Sequence, residues 1–101
     1  MVRVLDEATL EAVEAADWYD RQQLGLGDRF LDEVDQALLR IGEGPRRFPR
    51  WAPYTGQHEI RRCLLRQFPY VAIIWCRPAE LVVIAIGHGR RRPLYWIDRL
   101  G

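Results

Sequence analysis

The chain has 101 residues, of which 49% are hydrophobic, 11% aromatic and 29% charged, the profile of one globular domain spanning 1–101 with no room for a second. Formal net charge is +1, yet residues 1 to 43 hold eleven acids against four arginines (−7) and residues 44 to 101 hold eleven arginines against three acids (+8), so the chain is electrically divided. The longest apolar runs, Tyr70 to Cys76 and Leu81 to Gly87, fall short of the roughly 20 residues of a membrane helix, and the first residues lack the apolar core of a secretory signal; no membrane partner and a cytoplasmic location are expected.

A β-branched opening, Val2 to Leu5, precedes Asp6, which the pattern predicts as a helix N-cap. Ala8, Ala12, Ala15 and Tyr19 then recur at helical spacing, giving a helix with a small apolar face that ends near Leu24, before Gly25-Leu26-Gly27. Leu26, Phe30, Val34, Ala37, Leu38 and Ile41 form the stripe of a second helix, stopped by Gly42 and Gly44. The short connection predicts an antiparallel hairpin that lays its apolar faces on a sheet. From Pro45 to Gly56, three prolines and a glycine predict a packed loop without regular structure. Three strands follow, Glu59 to Arg66, Tyr70 to Arg77 and Leu81 to Gly87, and their short links predict an antiparallel meander. The last two strands are apolar on both faces, as strands covered on each side would be. The tail, Arg90 to Leu100, predicts one or two helical turns from Pro93, with Leu94, Trp96, Ile97 and Leu100 as contacts. The fold class is therefore α+β: a short N-terminal strand and a helix hairpin packed on an antiparallel meander, with a short helical tail.

The chemical inventory is thin. The chain carries no G-x-S-x-G, P-loop or H-E-x-x-H motif, and no serine or lysine. His58 and His88 lie far apart with no cysteine at ligand spacing, and Cys63 and Cys76 sit inside apolar runs, so buried thiols are expected, with neither metal nor cofactor. His88, between Gly87 and Gly89 at the exit of a buried strand, has a side chain suited to acid–base work near neutrality. Arg61, Arg62, Arg66, Arg90, Arg91 and Arg92 form the strongest candidate surface, because their planar forks suit phosphate or carboxylate; Trp51, in a basic loop, is the aromatic that could join them.

Gly25-Leu26-Gly27-Asp28-Arg29-Phe30-Leu31-Asp32-Glu33-Val34, Pro45-Arg46-Arg47-Phe48-Pro49, Ile60-Arg61-Arg62 with Phe68-Pro69-Tyr70, and His88-Gly89-Arg90-Arg91 stand in this order along the chain. Together they resemble the ParE-like branch of the RelE/ParE toxin superfamily over essentially the whole length. The resemblance implies the toxin half of a type II toxin–antitoxin pair, neutralised by a cognate antitoxin whose C-terminal segment wraps it. ParE-like toxins are associated with inhibition of DNA gyrase, whereas RelE-like relatives cut messenger RNA on the ribosome.

The chain departs from the nuclease pattern. Phe68-Pro69-Tyr70-Val71 stands where those relatives place a catalytic arginine, no lysine can serve as base, and His88 and Tyr95 are seven residues apart. A poison acting by binding is expected. The alternative is a ribosome-dependent endoribonuclease using His88, Arg61, Arg90 and Tyr95, and a third reading is an inactive, partner-bound module. The +8 half suits an acidic, partly disordered antitoxin segment that supplies carboxylates to Arg61, Arg62, Arg66, Arg90, Arg91 and Arg92.

Overall fold

A computed structural model describes all 101 residues. The elements are β1 (Val2–Val4), α1 (Asp6–Gln22), α2 (Leu26–Glu43), β2 (Ile60–Leu64), β3 (Tyr70–Cys76) and β4 (Leu81–His88), with 3-10 turns at Pro45–Arg47 and Ile97–Leu100. Asp6 is not the N-cap of α1: Leu5 holds that position in extended backbone with no side-chain bond, and Asp6 and Glu7 occupy the first turn, where a carboxylate meets the positive end of the helix dipole. The helix ends at Gln22, slightly before the expected Leu24.

The turn between the helices explains its glycines. Gly25 takes φ 91°, the left-handed region where a side chain is strained. Gly27 lies inside the first turn of α2, so close to α1 that a Cβ would strike the Ala16 carbonyl and the Asp20 carboxyl. Its N–H donates to Asp20 Oδ1 at 2.7 Å, so α1 supplies a cap that α2 lacks. Gly42, expected to stop α2, instead falls within its last turn; the helix runs to Glu43, and Pro45 opens a 3-10 turn where no regular structure was expected.

The strand order is β1-β4-β3-β2. β2, β3 and β4 form the expected antiparallel meander. The opening strand crosses back to pair with β4 in parallel, Val2 opposite Leu81 and Val4 opposite Val83, so the sheet is mixed and not purely antiparallel. Between β3 and β4 the partners jump from Ile73↔Ala85 to Ile74↔Val83, leaving Ile84 as an extra residue. This bulge turns Val83 and Ile86 to one face and Ile84 and Ala85 to the other.

Two cores result. On the helix side, Ala8, Ala12, Ala15 and Ala16 of α1 and Phe30, Val34, Ala37 and Ile41 of α2 meet Cys63, Ala72, Ile74, Val83 and Ile86. The small α1 face lets the hairpin sit close, and rings fill its turn end: Phe30 lies 5.1 Å from Phe68 and 4.9 Å from Tyr70, and Tyr19 4.9 Å from Phe68. On the opposite side, Ile60, Val71, Ile73 and Ile84 are covered by Trp96 of the tail, 1% exposed, and by Trp51 and Tyr54 of the long loop. Both cysteines are free thiols, Cys63 buried and Cys76 half-buried, and burial pushes each above its ordinary pKa. No helix is long and apolar enough to cross a membrane.

Candidate functional site

The meander sets the positions of the arginines. Arg61 stands opposite Ile74 and Arg62 opposite Ile73, so alternation along β2 sends Arg61 to the helix side and Arg62 to the tail side. The tail-side neighbours Val71 and Ile73 floor a small cleft walled by Trp51, Arg92 and Pro93. On β2, outside the cleft, Arg62 stands opposite Ile73, and Leu64, 56% exposed, opposite Val71. Arg66 follows β2 and Arg90 follows β4, at the same end of the sheet, because Tyr70 at the start of β3 pairs with His88 at the end of β4. Arg62, Arg66, Arg90 and Arg92 have guanidinium groups with no protein hydrogen-bond or ion-pair partner.

Arg61, Arg91 and Trp51 are differently placed. Arg61 is largely buried and donates to Glu59 Oε2 at 2.7 Å, to the Phe48 carbonyl at 2.6 Å and to the Arg46 carbonyl at 3.3 Å, so it ties the loop to β2. The hydrogen bond from Arg61 is the main reason the Glu59 carboxyl lies below its ordinary pKa, with the charges of Arg46, Arg61 and Arg50 adding to it. Trp51 donates Nε1–H to the Pro93 carbonyl at 3.1 Å, joining loop to tail. Arg91 lies 3.8 Å over the Tyr95 ring and 3.4 Å from Glu11 Oε2.

The acid–base candidates are separated by burial. His88 Nδ1 accepts the Arg90 N–H at 3.0 Å, and its ring meets Tyr70 edge-on at 5.3 Å. Tyr95 turns its hydroxyl inward against the Cα of Gly87, where a Cβ would collide with it, and that hydroxyl is buried with no hydrogen-bond partner. Burial first, and the nearby Glu11 carboxylate second, push the Tyr95 hydroxyl far above its ordinary pKa. A phenol hidden in this way is poorly placed to exchange a proton with a substrate near neutral pH.

Two residues that the sequence reading passed over organise this region. The bulge leaves backbone groups of β4 beyond the reach of the short β1. Glu11 Oε1 accepts the Ile86 N–H at 3.1 Å, Arg99 donates to the Ile84 carbonyl at 3.0 Å, and the two side chains pair at 2.8 Å. Their mutual bonds hold the Arg99 guanidinium above its ordinary pKa, with Glu11 the first cause. The signal for Glu11 is present in the sequence: it lies three residues after Ala8 and four before Ala15, a carboxylate at the margin of a buried stripe. Arg99 has no comparable periodic signature.

No three His, Cys, Asp or Glu side chains gather in a metal-binding group. No curated relative matches the chain. A family model described as the ParE toxin of the type II toxin–antitoxin system, parDE, matches residues 2–93. That span takes in the helix hairpin, the whole sheet and the arginine-rich exit of β4, and on this match the chain belongs to the ParE toxin family of type II toxin–antitoxin systems.

Proposed function

We propose that this toxin acts by binding, with DNA gyrase as its target, and that the acidic segment of a cognate antitoxin silences it by docking on Arg62, Arg66, Arg90 and Arg92. The observation that carries the reading is the placement of four unpartnered guanidinium groups, Arg62 on β2, Arg66 and Arg90 beyond the neighbouring ends of β2 and β4, and Arg92 in the tail. Carboxylates meet the forks while an apolar anchor packs on Leu64, 56% exposed on the tail side of β2, the combination needed to offset the ordering of a disordered segment. Arg61, Arg91 and Trp51 contribute by building the face that the free arginines occupy. Family membership supports gyrase as target, and the buried Tyr95 hydroxyl supports binding over catalysis.

With purified toxin, gyrase supercoiling should fall and cleavage complexes should accumulate. Cutting of ribosome-bound messenger RNA with gyrase unaffected would overturn the reading in favour of the endoribonuclease built on His88, Arg61, Arg90 and Tyr95. On expression in cells, Tyr95→Phe and His88→Ala retain full toxicity if binding is the mechanism. Replacing Arg62 and Arg92 together by alanine should weaken antitoxin affinity and flatten its salt dependence, because two screened charge contacts are lost.

A further inference from the structure

We propose that the cleft between the middle of α1 and the end of β4 binds a guanine nucleotide, with the base stacked on Trp18 and read by the backbone of Ile86 and His88. β1 pairs with β4 only as far as Val83, so the end of β4 is a sheet edge of its own. The Gly89 N–H donates to the Pro69 carbonyl at 2.8 Å, toward β3, whereas the Ile86 N–H donates outward to Glu11 Oε1 at 3.1 Å. Alternation along the strand therefore turns the Ile86 carbonyl and the His88 N–H outward as well, an acceptor and a donor side by side with no strand next to them.

Two cavities of about 270 and 450 Å³ meet at this edge and share Trp18, Tyr70 and His88. Trp18 is 49% exposed, and its ring contact with Tyr19 is T-shaped at 5.1 Å, so no ring lies parallel to it. An exposed indole beside Tyr70 and His88 is a platform of the kind on which bases stack. Glu14, one turn of α1 beyond Glu11, lines the smaller cavity with Ile86, His88 and Arg91. The two charges of this cavity differ in their neighbours. Glu14 takes no part in an ion pair. Arg91 shares Glu11 with Arg99, at 3.4 and 2.8 Å, so one carboxylate stands against two guanidinium groups and a positive charge remains.

These groups select a purine with a particular edge. The N1–H and O6 of guanine are an adjacent donor and acceptor, the complement of the Ile86 carbonyl and the His88 N–H, and the 2-amino group adds a donor for the Glu14 carboxylate. The phosphate goes to the uncompensated charge at Arg91. Adenine meets the backbone pair but has no 2-amino group, so it leaves Glu14 unmet, and hypoxanthine differs from guanine in that group alone. The cleft is lined by none of Arg62, Arg66, Arg90 and Arg92, so the site stands apart from the proposed antitoxin face.

The test titrates the purified full chain with GMP, IMP and AMP, followed by calorimetry and by NMR. GMP should shift the His88 amide and the Trp18 indole resonances and bind about tenfold more tightly than IMP or AMP, the worth of one hydrogen bond to a charged group. Trp18→Ala, at an exposed position, should weaken GMP binding about tenfold. Glu14→Ala should bring GMP and IMP to equal affinity, which a merely structural role of Glu14 does not produce. Unmoved His88 and Trp18 resonances, equal affinity for GMP and AMP in the native chain, or a GMP-to-IMP ratio untouched by Glu14→Ala would overturn the proposal. So would a guanine-containing single-stranded oligonucleotide that binds where GMP does not, because the ligand would then be a nucleic acid. Arg62→Ala with Arg92→Ala should leave GMP binding unchanged, which separates this result from the fate of the antitoxin reading; loss of GMP binding in that variant would place the phosphate elsewhere and overturn the site.

Discussion

On one face of the sheet, two amphipathic helices cover Cys63, Ala72, Ile74, Val83 and Ile86; on the other, a loop and a tail cover Ile60, Val71, Ile73 and Ile84. The helices distribute their contacts along two stripes and satisfy their own backbones. The irregular cover depends on a few large side chains and a few polar ties: Trp96 in the core, Trp51 bonded to Pro93, and Arg99 bonded to Ile84. The difference teaches where this fold is redundant and where it rests on single residues. It also bears on the proposed docking, since the irregular side carries Arg62 and Arg92.

The largest effect should come from removing the central side chain of that irregular cover. Trp96→Ala leaves a cavity against Ile73 and Ile84 and should cost about 3–5 kcal/mol in urea unfolding. Exchange protection should then fall first in the tail and the Trp51 loop while α1 and α2 remain protected. A loss below about 1 kcal/mol would mean that the tail lies outside the cooperative unit.

Two glycine substitutions sharpen the contrast. Gly27→Ala forces a methyl group onto the Ala16 carbonyl, and Gly87→Ala forces one onto the Tyr95 hydroxyl. Each should cost about 1–3 kcal/mol. Backbone cannot be trimmed, so no side-chain change relieves the first. Tyr95→Phe removes the offending oxygen and should recover part of the second. Alone, Tyr95→Phe should be neutral or stabilising in the same unfolding assay, because the hydroxyl it deletes is buried and unpartnered.

The helix side was readable because its information is periodic. The spacing of Phe30, Val34, Ala37 and Ile41 locates the buried stripe of α2, and the alanines of α1 foretell close packing. The meander followed from three apolar runs joined by short links. The parallel return of β1 was not readable, since three β-branched or charged residues carry no mark of the strand they will join. Nor was the bulge at Ile84, because a run apolar on both faces has no alternation for an extra residue to interrupt. The arginines show the same limit in the candidate site. Composition placed them in one half of the chain, but only β2 alternation separates Arg61, fixed on Phe48 and Glu59, from Arg62 on the opposite face.

The bulge gives the next prediction. Arg99→Ala leaves the Ile84 carbonyl unmet, and Glu11→Gln weakens the acceptor for Ile86 N–H while removing the charge that holds Arg99. Arg99→Ala should cost about 1–3 kcal/mol, and the double substitution should cost less than the sum of the two, as shared partners require. Strict additivity in urea unfolding would show that the two side chains stabilise β4 separately.

The smallest effect concerns acid, and it separates the fixed arginine from the free ones. Glu59 is held below its ordinary pKa chiefly by the Arg61 hydrogen bond. A carboxylate whose folded pKa is depressed binds protons less readily in the native state, so its stabilisation is present above the unfolded value, about 4.3, and is lost as pH falls from there through the folded value. The urea midpoint should therefore drop across that acidic interval, and Glu59→Gln should flatten this part of the profile. Arg62→Ala should leave it intact, because Arg62 lies on the opposite face and contributes no bond to the carboxylate. If Arg62→Ala flattened the profile as much as Glu59→Gln does, the division between arginines that hold the loop and arginines without a partner in the chain would fail.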